Sequence, residues 1–109
     1  MIRYVFIETR DPFESRDVQF VAETAVSLRQ SGNDVILFLV QNGVFAVRKN
    51  ARGSHLPRLA RAGVTLLADD FSLRERGIEA SELGNDIRES NIDLLVDLLA
   101  QEDTKAIWH

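Results

Sequence analysis

Between Asp34 and Gln41 the chain runs Val35-Ile36-Leu37-Phe38-Leu39-Val40, six apolar residues without a break. Successive side chains of a strand point to opposite faces of its sheet. A strand with this sequence therefore has no face to offer water. Parallel sheets of α/β proteins, covered by helices on both sides, have such strands, whereas a strand with one wet face alternates apolar and polar residues. The run predicts a central strand of a parallel sheet, closed by the turn residues Gln41-Asn42-Gly43.

The flanking sequence supplies what such a strand needs. Ile2 to Ile7 is β-branched and aromatic, ends at Arg10-Asp11-Pro12, and reads as strand one. From Ser15 to Gln30, Val18, Val21, Ala22, Ala25, Val26 and Leu28 recur at helical spacing, and Gly32 follows as a stop. Val44 to Asn50 suits a short helix, interrupted by Arg52-Gly53. Ser54 to Arg61 suits another, with Ser54 as its cap and Pro57 in its first turn. Val64 to Ala68 is strand three, after Gly63. Phe71 to Arg76 makes one or two helical turns before Gly77, and Ile78 to Ala80 reads as a short edge strand. Residues 81–89 are polar and carry no pattern. Ser90, with Asp93 three residues on, fits a capping signature for a helix bearing Ile92, Leu94, Leu95, Val96, Leu98 and Leu99. Lys105 to Trp108 is a last short strand. Strands alternating with helices predict an α/β fold, a three-layer α/β/α sandwich around a parallel sheet of four to five strands with right-handed crossovers. The 109 residues fit a single domain, 1–109.

Charge and composition exclude several functions. A net charge of −4, from 17 acidic and 13 basic residues, gives no electrostatic grip on nucleic acid. With no cysteine there is no disulfide, no thiolate metal site and no cysteine nucleophile. The opening MIRYVFIETRDPF is neither a signal peptide nor a membrane anchor, so no membrane is expected and the cytoplasm is the default location. The phosphate-binding patterns G-x-x-x-x-G-K-[ST] and G-x-G-x-x-G are absent. A receiver domain needs paired acids after strand one; here the pair follows strand three.

In open parallel sheets, ligands bind beyond the carboxyl ends of the strands. That edge gathers Glu8, Thr9, Arg10 and Asp11 from strand one, Gln41, Asn42 and Gly43 from strand two, and Asp69 and Asp70 from strand three. Adjacent carboxylates there can hold Mg²⁺ or, when crowding raises one pKa, act as a base. Their commoner role is that one caps the helix starting at Phe71 while the other is solvated. Gln41-Asn42-Gly43 can point backbone N–H groups at a small anion, although such triplets are more often tight turns. His55, beside Ser54, has no second histidine near it in sequence and reads as a surface residue. Trp108, just before the final residue His109, reads as filling core or interface space rather than stacking a ligand. Arg48, Lys49, Arg52, Arg58 and Arg61 form the one basic stretch, which suits a solvated helix face or an acidic partner.

Three segments, VFIETRDPFES, DVILFLVQNGV and AGVTLLADDFSLRERGI, resemble the DsrE/DsrF-like family, which includes the DsrE and TusD subunits of sulfur-relay complexes. The resemblance runs from about Ile2 to Trp108, and its best segment is strand three with the following Leu73-Arg74-Glu75-Arg76-Gly77. Sulfur-carrying members place a cysteine just after the third strand, ahead of that Arg-Gly. Counting back from Gly77, the equivalent place here is at or beside Asp69. Sulfane sulfur moves through a polarizable thiolate, which an aspartate cannot supply. The resemblance therefore implies the fold and an assembly, but not the transfer reaction. The assembly is a homo-oligomer, commonly a trimer or hexamer, or a hetero-oligomer with DsrE-like subunits, and a small sulfur-carrier protein is a further partner. The expectation is a non-catalytic binding or scaffold subunit related to intracellular sulfur relay, with no cofactor. The alternative is an enzyme or ligand-binding protein using the acidic pocket at Asp69 and Asp70, together with Asp11 and a divalent metal.

Overall fold

The computed structural model describes residues 2–49, 51 and 54–109. In chain order they form β1 (Arg3–Glu8), α1 (Asp17–Gln30), β2 (Asp34–Leu39), a 3-10 helix (Gln41–Val47), α2 (Leu56–Ala62), β3 (Thr65–Asp69), α3 (Asp70–Glu75), a 3-10 turn (Ala80–Glu82), β4 (Ile87–Ser90), α4 (Ile92–Leu99) and β5 (Thr104–Trp108). The five strands make one sheet in the order β4-β3-β2-β1-β5, and every pairing is parallel. The all-apolar β2 takes the centre, where both of its faces are covered, as its composition requires.

Strand alternation divides the core into two layers. On one face Phe6, Leu37, Leu39 and Leu66 pack with Val21 and Ala25 of α1, Leu59 of α2, and Val44 and Val47 of the 3-10 helix. On the other, Val5, Ile7, Ile36, Phe38, Val40 and Leu67 lie beneath Leu95 and Leu98 of α4. The second layer is the thinner one. Six of the eight residues of α4 are large and apolar, yet only Leu95 and Leu98 are buried. Ile92, Leu94, Val96 and Leu99 remain exposed.

The structure corrects the reading of the fourth strand. Ile78–Ala80 is not a strand: Ile78 is buried in the first core layer, and Ala80–Glu82 is a 3-10 turn closed by a capping box between Glu79 and Glu82. The edge strand is β4, within the patternless segment. Its two middle residues, Arg88 and Glu89, are exposed, so neither strand composition nor strict alternation marks it. The cap of α4 is Asn91, whose Oδ1 accepts the Leu94 N–H at 2.9 Å. Ser90 belongs instead to β4, in register with Asp69. Ser54 does not cap α2, which starts at Leu56 with His55 at the cap position and no side-chain bond there. The short helix expected over 44–50 is 3-10 and starts earlier, at Gln41. Asn50 and the Arg52-Gly53 interruption lie outside the described residues. No described helix is long and apolar enough to cross a membrane.

Candidate functional site at the carboxyl edge of the sheet

The carboxyl ends of the strands carry a different site on each face of the sheet. On the α4 face, β3 ends in Asp69, which is 3% exposed and leads directly into α3. Its Oδ2 accepts the Ser72 N–H at 2.9 Å and the Ser72 hydroxyl at 2.7 Å. The Ser72 Oγ in turn accepts the Gln41 N–H at 2.8 Å. Gln41 holds a positive φ of 51°, a conformation an L residue reaches only with support, and that bond supplies some of it. This relay fixes the direction of the Ser72 hydroxyl and ties the end of β2 to the end of β3. Asp69 Oδ1 is enclosed and has no hydrogen-bond partner. Asp69, Gln41 and Ser72 line an open cleft of about 540 Å³, together with Ile7, Val40, Leu95, Ile92, Glu75, Arg76 and the aromatic rings of Phe71 and Trp108. Arg76 is engaged at its rim: Nε and Nη2 donate to Asn42 Oδ1 at 3.2 and 3.0 Å, Nη1 donates to the Ser72 carbonyl at 3.3 Å, and the guanidinium lies 5.8 Å from the centre of the Phe45 ring.

On the α1/α2 face, β1 ends in Glu8, a fully buried carboxylate. Its two oxygens lie 2.9 and 2.7 Å from His109 Nδ1. The backbone holds that partner in place, since His109 N–H donates to the Ile7 carbonyl at 2.9 Å, and the His109 carbonyl accepts from the Thr9 N–H and hydroxyl, each at 2.9 Å. Burial pushes the Glu8 carboxyl above the usual carboxylate range, and the hydrogen bond and charge of His109 pull it back only in part. A cavity of about 20 Å³ lies beside it, lined also by Arg10, Gly43 and His55, with room for about one water. Gly43 seals this side: a Cβ there would stand 2.3 Å from the Glu8 carbonyl oxygen.

The residues expected at the edge therefore divide. Gln41 and Asp69 share the cleft, and Asn42 orients its arginine. Arg10 and Gly43 face the other cavity. Asp11 accepts the Phe13 N–H at 2.9 Å, closing a local turn, and Arg10 pairs with Asp17 at 3.5 Å. Asp70 opens α3 and pairs with Arg74 at 3.7 Å, four residues on. Of the roles open to the aspartate pair, Asp69 takes the helix cap. Asp11, Asp69 and Asp70 do not form a metal-holding group, and among the described residues no three His, Cys, Asp or Glu side chains do. The Gln41 and Gly43 N–H groups serve Ser72 and the Val40 carbonyl rather than an anion. Trp108 is 67% exposed at the rim of the cleft, not in the core. Sequence reasoning did not foresee the Glu8–His109 contact. The available signal was a lone acid following the apolar run Val5-Phe6-Ile7.

With this geometry the relationship to known proteins is direct. A model of the DsrE/DsrF-like family matches residues 3–105. The chain belongs to the DsrE/DsrF-like family. Solved structures of similar fold include the ychN protein of E. coli (TM-score 0.88, 19% identity, all of both chains covered) and MTH1491 of Methanobacterium thermoautotrophicum, a protein of unknown function (TM-score 0.83, 20% identity, all of both chains). A third is BT1422 of Bacteroides thetaiotaomicron, a conserved protein of unknown function (TM-score 0.78, 18% identity, 98% of this chain and 94% of that one). At such identities the likeness is one of fold. No curated protein matches the chain. At or beside the place where the sequence resemblance implies a sulfur-carrying cysteine, this DsrE/DsrF-like chain has a buried aspartate that caps a helix.

Proposed function

We propose that this DsrE/DsrF-like chain is a cytoplasmic binding and assembly subunit related to sulfur relay, which does not itself pass sulfur. The observation that carries the reading is α4. Asp93 and Asp97, four residues apart, give α4 one polar edge, but its apolar surface is wider than the sheet covers, and Ile92, Val96 and Leu99 face outward. A second copy of the chain, or a DsrE-like subunit, covers that face and completes the thinner core layer. Asp69 fits the same reading, because its Oδ2 is committed to capping α3 and the chain offers no thiolate. A small sulfur-carrier protein is a further partner of the assembly.

Light scattering on the purified chain tests this. A trimer or hexamer is expected, and Val96→Glu should shift it to monomer with little loss of fold, since surface substitutions usually change stability by within about 0.5 kcal/mol. A wild-type monomer at micromolar concentration that also fails to bind cysteine-bearing homologues would sink the proposal. A second reading, in which the cleft takes a small ligand, is favoured by the unpartnered Asp69 Oδ1.

A further inference from the structure

The cleft beside α4 contains one group that the fold does not use. Asp69 is nine-tenths buried, and its Oδ2 takes both donors of Ser72, while Oδ1 has none. Leaving a buried acceptor without a donor forfeits its hydration with nothing in return. Folded proteins seldom keep such an atom unless a water or a ligand serves it.

The rest of the lining indicates what kind of donor fits. Glu75 adds a second carboxylate. Phe71 and Trp108 present exposed aromatic rings at the rim, and Ile7, Val40 and Leu95 give an apolar floor. Arg76, the one cation in the lining, is turned onto Asn42, the Ser72 carbonyl and the Phe45 ring. A site made of carboxylates, aromatic rings and apolar surface, with its own cation engaged elsewhere, is complementary to a positive donor on a hydrophobic body. The ammonium is attracted to aromatic faces, and a charge-assisted hydrogen bond to a carboxylate is roughly twice as strong as a neutral one.

We propose that the cleft binds a small organic cation, a primary amine or guanidinium carried on an apolar stem, which donates to Asp69 Oδ1 and lays its stem against Leu95 and Trp108. Oδ1 is enclosed, so binding requires a side-chain movement that opens it to the cleft. The proposal rests on the small-ligand reading above and adds the chemical class.

Trp108 is the only tryptophan, so its fluorescence and its indole N–H resonance report on the cleft alone. The test is a titration of the full chain with phenethylamine and, separately, with 3-phenylpropionate, which has a similar body and the opposite charge. Phenethylamine should saturate and move the Trp108, Gln41 and Ser72 resonances, with 3-phenylpropionate roughly tenfold weaker or more, a difference of about 1.4 kcal/mol. Asp69→Asn keeps an oxygen for the Ser72 cap and should lose roughly tenfold in amine affinity, with Glu8→Gln, on the opposite face, unchanged. Equal or tighter binding of 3-phenylpropionate in the cleft, or an unaltered Asp69→Asn, overturns the cation assignment and leaves the small-ligand reading standing. No movement of cleft resonances with either probe at millimolar concentration overturns both.

Discussion

On the α1/α2 face the carboxyl edge of the sheet is shut: Glu8 lies under His109, Gly43 presses on its carbonyl, and about 20 Å³ remains beside it. On the α4 face the same edge opens into a cleft of about 540 Å³ lined by Asp69, whose enclosed Oδ1 has no donor. Each face buries one carboxylate at a strand end. The difference lies in what covers them. Residues of α1, α2, α3 and the 3-10 helix pack the first face, whereas α4 alone supplies the helical residues of the second core layer. A buried acid with full cover becomes a fixed part of the scaffold, while the one beside the open cleft keeps an oxygen without a donor.

The largest test of this contrast is Gly43→Ala. The added methyl meets backbone rather than a side chain that can swing away, so a loss of about 3 kcal/mol is expected in urea unfolding. If the alanine variant unfolds with wild type, the first face is looser than described. Next comes Asp69→Ala, which removes the cap of α3 and strands the Ser72 donors. It should cost about 2 kcal/mol, against less than about 1 kcal/mol for Asp69→Asn, measured the same way. Equal losses would show that the oxygen facing Ser72 is not what matters. The smallest effect is a change of slope with pH. The folded pKa of Glu8 lies above its unfolded value, so the folded state holds the proton more tightly. Relative to Glu8→Gln, wild type should therefore lose stability as pH rises from the ordinary carboxylate value through the raised one, and regain it on acidification. Melting curves of both proteins from pH 4 to 8 measure the difference. Parallel curves would mean that His109 compensates the burial of Glu8 in full.

Much of the architecture was legible because local pattern and burial agree. The β2 run, the periodicity of α1 and the glycine after α2 each specify their element without help from distant residues. β4 was not legible, since an edge strand of this kind is polar along its middle and looks like loop. The site was legible in proportion to how local it is. Asp69 reaches Ser72 three residues away, and its capping role was among the readings open from sequence. Arg76 and Asn42 are 34 residues apart, and Glu8 and His109 are 101 apart. Those contacts follow from strand order, and periodicity says nothing about which strand flanks β1.

That order bears on how the molecule is made. A ribosome releases Glu8 about a hundred residues before the imidazole that answers it. Until β5 arrives, β1 is an unpaired margin, a template that strands of other nascent chains can join. Such long-range closure also slows folding. The vulnerable moment for this protein is thus the interval between completing β4-β3-β2-β1 and docking β5, and a lesion in Thr104–Trp108 would be felt as poor yield from the cell as well as a lower melting point.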